Sequence, residues 1–386
     1  MMNYYPYFQL APVLFGRGVA GQTGEVVKKL GCGNALLVTD PGVAAVGAAE
    51  TVRAALAAAG VAVTVWDQAQ MDCPEQTVRD AAAVARAQKV DCVVGVGGGS
   101  VLDTAKAVAA VSVNGDGVLG EMPLYLTGQK QYAVPPLAVI EVPTTSGTGS
   151  ESTFVAVVTS DALDCKIGLP VHPAYGVVDP LLTRTVPQDI TAYTGMDAFS
   201  HANEALTEQK ASRHSDLLAY EAIRLIRDDL PMAIADGSNM EARENLAFAS
   251  NIAGISFNES GTHIGHSIAH ALGHVYHLPH GVCCANVTPA VIAFTARTYP
   301  EKMKKLGELM GAVFSSDAPA EIGRAAAKAV REFAARVGVP TFRQLGLDEE
   351  KVLAVRDAVW NDALAHAYGG SFTPEDVEQM LLDTLG

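Results

Sequence analysis

Basic and aromatic residues are scarce in this 386-residue chain: 27 lysines and arginines stand against 42 aspartates and glutamates, a formal charge of −15, and aromatics make up 6%. Such an acidic molecule repels phosphate backbones and anionic lipid, which excludes nucleic acid and membrane surfaces as expected partners. Cysteine is rare as well. The six, at positions 32, 73, 92, 165, 283 and 284, form no Cys-x-x-Cys pair and no framework spacing. A chain of this length needs no disulfide staples, so a reducing cytoplasm is the expected location. No run approaches the roughly eighteen apolar residues of a membrane span, and the opening "MMNYYPYFQLAPVLFG" lacks a basic segment followed by an apolar one. Internal repeats and low-complexity linkers are also missing. What is present is apolar mass: 49% of residues are hydrophobic, more than one core holds at this length, and two domains are expected.

Between Asn34 and Asp179 short apolar runs alternate with alanine-rich amphipathic segments. "ALLVTD" (35–40), "VAVTVW" (61–66) and "DCVVGV" (91–96) read as strands, separated by helical segments at 48–60 and 75–89. This β-α-β-α-β order predicts a parallel sheet with helices on its faces. "PLAVIEVPTT" (136–145) and "TFVAVVTS" (153–160) supply further strands. Past "VVDPLLTRTVPQDITA" (177–192) only helical periodicity continues. The expected division is an α/β dinucleotide-binding domain, 1–186, and an all-α domain, 187–386.

"VVGVGGGSVLDTAKAVAA" (93–110) sets three glycines and a serine between a strand and a helix. Backbone without Cβ atoms can approach a phosphate, and the free N–H groups of a helix start favour an anion. A tight strand-to-helix turn would read the same way, and the Gly-x-Gly-x-x-Gly spacing is absent. Two other segments strengthen the phosphate reading. "PTTSGTGSE" (143–151) is a second loop of hydroxyls and glycines after a strand, rich in donors. Asp40 closes the first strand, where a carboxylate accepts from ribose hydroxyls and repels a 2′-phosphate, favouring NAD over NADP. Asp40 would serve equally as a helix N-cap before Pro41-Gly42.

Six of the ten histidines fall between positions 263 and 280. His266, His270 and His274 recur every fourth residue and form one helical stripe, with His263 and His277 three residues from a member. Pro279 should end that helix and leave His280 on a turn. Elsewhere, Asp197 and His201 are one helical turn apart in "TGMDAFSHANEALTE" (194–208). A carboxylate with imidazoles suits Fe²⁺ or Zn²⁺ with a position open to a substrate oxygen. Periodicity does not choose which histidines ligate.

With "TDPG" (39–42), "GGGSVLDTAK" (97–106), "PTTSGTGSE" (143–151), "DPLLT" (179–183), "GMDAFSHANEA" (195–205), "HSIAHALG" (266–273) and "LPHG" (278–281) in order along nearly its whole length, the chain resembles the iron-containing (group III) alcohol dehydrogenases. The resemblance implies a nucleotide-binding α/β domain and a helical domain, with the active site in the cleft between them. It implies that Asp197, His201, His266 and His280 bind a divalent metal, Fe²⁺ first and Zn²⁺ as the alternative, and that His270 relays a proton. It places NAD(H) against Asp40, Gly97, Gly98, Gly99, Ser100, Thr144 and Thr145, with Ser146, Thr148 and Lys166 as weaker carry-overs. Phe257, Thr262 and His263 fall at the substrate pocket. Glu259, Thr262 and His263 are polar where many members carry small or apolar residues, and a C-terminal Asn-Pro-Arg of the family is absent near "HAYGGSFTPED" (366–376).

The expected function is therefore a metal- and NAD-dependent alcohol dehydrogenase or aldehyde reductase acting on a short, polar or anionic aldehyde or primary alcohol, as a dimer or larger homo-oligomer. Rival readings are a polyol dehydrogenase or dehydroquinate-synthase-like lyase on the same fold, a transhydrogenase with tightly held NAD, and a histidine-rich metal-binding protein. No cysteine stands in an activating context by sequence.

Overall fold

The computed structural model describes Tyr7 and residues 9–386. They divide into two compact units, residues 9–186 and residues 187–386 together with Tyr7. The strands of the first are β1 (Val13–Phe15), β2 (Asn34–Val38), β3 (Ala62–Trp66), β4 (Cys92–Gly97), β5 (Ala138–Pro143), β6 (Val155–Ser160), β7 (Cys165–Pro170) and β8 (Tyr175–Val178). Six form one parallel sheet in the order β1-β8-β5-β4-β2-β3. The central strands are continuous apolar runs because helices cover both faces: Val93, Val108 and Val139 lie in the core of one face, and Leu37, Val52, Leu56, Val94 and Ile140 in that of the other.

The segment 153–160 departs from expectation. It forms β6, which pairs antiparallel with β7 in a separate two-stranded ribbon. The chain turns back over Asp161–Asp164, with Asp164 in a left-handed conformation (φ 50°), so the nearest partner of β6 is the strand that follows it. Its buried and half-buried residues alternate, as in a strand covered on one face. Chain order β2, β3 and then β4 on the opposite side of β2 makes the gap between β2 and β4 a topological switch point, where ligands bind at the carboxyl ends of strands.

The second unit contains the long helices Gln188–Thr207, Arg213–Ala235, Met240–Ser260, Ile264–Tyr276, His280–Thr295 and Pro319–Arg336. One core gathers Phe199, Leu206, Ile226, Leu230, Ile292 and Phe333. Another gathers Ile264, Ile268, Leu272, Val287, Val291 and Phe342. The histidine helix ends at Tyr276, His277 caps it at φ 53°, and Pro279 is the N-cap of the next helix. His280 is thus the first residue of a helix and not part of a turn: the fixed φ of Pro279 stops one helix and starts another. Among the described residues no helix is long and apolar enough to cross a membrane.

Candidate functional site

At the carboxyl end of β2, Asp40 caps the Pro41–Ala45 helix, its Oδ1 accepting from the Val43 N–H at 2.9 Å. Across the switch point, β4 runs into Gly98, the N-cap of the Gly99–Asn114 helix, whose first N–H groups have no partner within the helix. A Cβ on Gly99 would lie 2.5 Å from Thr148 Cγ2, so glycine is what lets the two loops touch. The Thr144 N–H donates to Gly97 O at 2.9 Å, Thr145 stands beside Gly98, and Ser146 is half-buried in the same loop. Ser100 Oγ accepts from the Asp72 N–H at 3.0 Å, and the Asp72 carboxylate pairs with Lys166 Nζ at 2.6 Å. The fold thus brings Gly97 to Ser100, Thr144 to Thr148 and, through Asp72, Lys166 to one end of the sheet.

Beneath these loops lies a buried polar cluster. Lys106, fully enclosed, donates to Ser150 O at 2.6 Å, Ser150 Oγ at 2.8 Å, Val155 O at 3.1 Å and Thr153 Oγ1 at 3.3 Å, with the Glu141 carboxylate 3.5 Å away. Asp103 accepts from Ser150 Oγ and the Val157 N–H, both at 3.0 Å. One ammonium so pins the glycine-loop helix to the hydroxyl loop. Burial pushes the Glu141 carboxyl up to about 8 despite the Lys106 charge.

The histidine centre is built from three helices, each offering a pair four residues apart: Asp197 and His201, His266 and His270, His280 and Cys284. A Cβ on Gly281 would lie 2.2 Å from Tyr193 O; glycine there lets the His280 helix start against the Asp197 helix. Asp197 Oδ1 lies 3.3 Å from His280 Nε2 and 3.9 Å from His201 Nε2. One donor atom each of Asp197, His266, His280 and Cys284 falls within 4.8 Å of the others. His201 stands just outside that group, stacked between Phe257 at 4.2 Å and His266 at 4.6 Å. The His270 ring is 5.2 Å from that of His280 and 6.0 Å from that of His266. Thr262 is half-buried, as is His274, and His277 is exposed; neither of these two histidines is in the donor group.

Burial alone would raise the Asp197 carboxyl, but the His201 and His280 imidazoles beside it hold it below its usual range. Burial drives His201 down to about 4, so its imidazole is neutral at neutral pH, the form that binds metals.

Two residues escaped the sequence reading. Glu204, on the face of Asp197, contacts His266 Nδ1 with Oε1 at 2.6 Å and accepts the His263 N–H with Oε2 at 2.6 Å. Burial disfavours its charge, yet His266 and His263 hold its carboxyl down, to about 2. A carboxylate on Nδ1 orients the imidazole and leaves Nε2 to face the centre. The other is Cys284. His263, expected at the substrate pocket, is instead fully enclosed, with Nε2 2.8 Å from Thr207 Oγ1 and Nδ1 3.4 Å from Glu204. It braces Glu204 behind His266 and presents no surface to a substrate.

Asp197 Oδ1, His201 Nδ1 and His266 Nε2 are buried without a hydrogen-bond partner. Each orphan of this kind costs about 1–3 kcal/mol; Asp197 and His266, whose donor atoms lie in one group with those of His280 and Cys284, are the residues at which a bound cation would remove it. An oxygen, nitrogen and sulfur donor set converging from three helices fits a divalent ion such as Fe²⁺ or Zn²⁺.

The two units also match known proteins. Residues 11–180 match the iron-containing alcohol dehydrogenase family, and residues 191–385 the C-terminal part of the Fe-containing alcohol dehydrogenase family. The chain belongs to the iron-containing alcohol dehydrogenases. Membership carries alcohol dehydrogenase chemistry, which a histidine-rich protein that only binds metal would not have. Among relatives of this iron-containing alcohol dehydrogenase, the NAD-dependent methanol dehydrogenase of Bacillus methanolicus is 34% identical over 96% of this chain and 97% of its own. The 1,3-propanediol dehydrogenase of Klebsiella pneumoniae is 35% identical over 90% of this chain and 91% of its own. Among solved structures, a sulfoacetaldehyde reductase from Bifidobacterium kashiwanohense in complex with NAD⁺ superposes with a TM-score of 0.84 at 27% identity, covering 98% of both chains.

Proposed function

We propose that the protein interconverts a short primary alcohol and its aldehyde, with NAD(H) as the redox partner and a divalent metal held by Asp197, His201, His266 and His280. The observation that carries this is the pair of residues with buried, unpartnered atoms, Asp197 and His266, in one group of donor atoms with His280. When bound, the ion supplies Lewis acidity at the alcohol or aldehyde oxygen, and NAD(H) takes or gives the hydride.

The chain's own residues do the rest. Asp197 brings one negative charge to the ion, and Glu204 fixes the His266 tautomer so that Nε2 faces inward. His270, half-buried beside His280, takes the hydroxyl proton in oxidation and returns it in reduction. Phe257 forms an apolar wall against His201. The glycine loop and the hydroxyl loop seat the pyrophosphate and ribose, and Asp40 favours a free 2′-hydroxyl. Enclosure of His263 removes one support for an anionic substrate, which leaves Glu259 and Thr262, both half-buried, as the other polar positions of that segment.

The test is anaerobic loading of metal-stripped protein with Fe²⁺ or Zn²⁺ while NADH absorbance is followed with lactaldehyde, glyceraldehyde, butyraldehyde and an anionic aldehyde. Metal-dependent NADH loss is expected, fastest with short neutral aldehydes. Equal turnover by stripped and loaded protein would overturn the metal role. Binding of NADH and metal without oxidation by any aldehyde would favour the lyase or transhydrogenase reading.

A further inference from the structure

Cys284 stands one helical turn after His280 on the same helix and is 1% exposed. Its Sγ lies 3.4 Å from His280 Nε2. The sulfur, and no His201 nitrogen, completes the group of donor atoms within 4.8 Å of one another that Asp197, His266 and His280 begin. Two residues of that group, Asp197 and His266, carry buried atoms, Oδ1 and Nε2, without a hydrogen-bond partner. A buried free cysteine ordinarily packs as a small hydrophobe. Here it shares its surroundings with a carboxylate and two imidazoles, the company of a ligand.

We propose that the Cys284 sulfur is itself a ligand of the metal, making the centre a mixed oxygen, nitrogen and sulfur site. The proposal rests on the metal reading given above. Coordination replaces the S–H bond by a sulfur–metal bond, the proton leaves to solvent, and nothing is oxidised or reduced. A soft thiolate tilts selection toward zinc relative to metals that prefer oxygen and nitrogen. The chain should hold Zn²⁺ against Fe²⁺ more firmly than a version without the sulfur.

Cobalt(II) makes the sulfur visible. Cys32, Asp91 and Cys92 form a separate group of donor atoms on the other unit, so the parent for the experiment carries Cys32→Ser. Metal-stripped full-length parent is titrated with one equivalent of Co²⁺ under anaerobic conditions and its absorption spectrum recorded. The expected spectrum has visible ligand-field bands together with a near-ultraviolet thiolate-to-cobalt charge-transfer band. Adding Cys284→Ala should abolish the charge-transfer band and retain the ligand-field bands, whereas Cys283→Ala should keep both. The ratio of Zn²⁺ to Fe²⁺ taken up from a mixture should fall in Cys284→Ser. Ligand-field bands without charge transfer in the parent would overturn the sulfur ligand and leave the metal centre standing. No ligand-field bands at all would overturn the metal centre and the sulfur with it. Should Cys284→Ala fail to fold, the parent spectrum beside that of Cys283→Ala decides.

Discussion

Each unit buries a cluster of charged and polar side chains, and the clusters differ in how they are satisfied. Under the glycine loop, Lys106 has four oxygen acceptors of its own chain around it and Asp103 has two donors. At the histidine centre, Asp197, His201 and His266 each keep a buried atom without a partner. The first cluster is a structural tie in which the Lys106 ammonium and the Asp103 carboxylate are satisfied, while both Glu141 oxygens lack a hydrogen-bond partner and burial pushes that carboxyl up to about 8. The second gathers donor atoms from three helices within 4.8 Å of one another, and under the proposed function their partner is a divalent ion. Both clusters leave atoms over, and what separates them is their chemistry: one carboxyl with a raised pKa beside an ammonium in the first, and a carboxylate and imidazoles with donor atoms gathered in one group in the second.

The largest expected effect comes from breaking the histidine centre. Asp197→Ala or His280→Ala should lose the metal and several kcal/mol of transition-state stabilisation, about a thousandfold in kcat/KM, read by metal analysis and turnover. Retained metal in both variants would place the ion elsewhere. Breaking the cluster around Lys106 should cost stability: Lys106→Met strands the Ser150 and Val155 carbonyls, at about 1–3 kcal/mol each in urea unfolding. A loss below about 1 kcal/mol would mean that the ammonium is no tie.

Glu204→Gln sharpens the contrast, since it keeps shape and removes the charge behind His266. Metal affinity should fall about 10–100-fold in chelator competition, and unchanged affinity would deny Glu204 its orienting role. Glu141 gives the Lys106 cluster a pH signature. Its folded form keeps a proton that the unfolded chain has lost between the ordinary carboxylate range and about 8. Stability should thus fall as pH rises through that window, by up to about 1.4 kcal/mol per pH unit. Glu141→Gln should flatten the slope; the same slope in both proteins would refute the assignment. The smallest effect separates the two roles of Asp40. Asn remains a good cap, so Asp40→Asn should relax discrimination against NADPH at unchanged stability, whereas Asp40→Ala should also lose about 1 kcal/mol. An unchanged NADH to NADPH preference in both would remove Asp40 from cofactor choice.

What could be read from the sequence was whatever lies within one helix or at one strand end. Asp197 with His201 and His266 with His270 were visible because a four-residue spacing is a local fact. His280 and Cys284 share that spacing, but Pro279 reads as an ending, and its role as the start of a new helix depends on the geometry of the turn. Glu204 was hidden in a helix with polar residues on several sides, and only packing shows which of them are buried. Spacing also could not tell that His263, three residues before His266, lies behind that imidazole. The core strands β2, β4 and β5 were legible as buried apolar runs, while β1 and β8, three and four residues long, are too short to show a period. The segment 153–160 was rightly a strand, but its partner was decided by the turn after it.

The start of the His280 helix, packed at Gly281 against the helix that carries Asp197, would also make the proposed metal centre a mechanical clasp. Ligands drawn from three helices can meet only while those helices are docked, so an ion that binds them together resists their separation. A thousandfold excess of free ion over its dissociation constant then adds about 4.1 kcal/mol against unfolding. The increment would belong to the unit of residues 187–386, so its melting temperature on metal addition tests the proposed centre without any substrate.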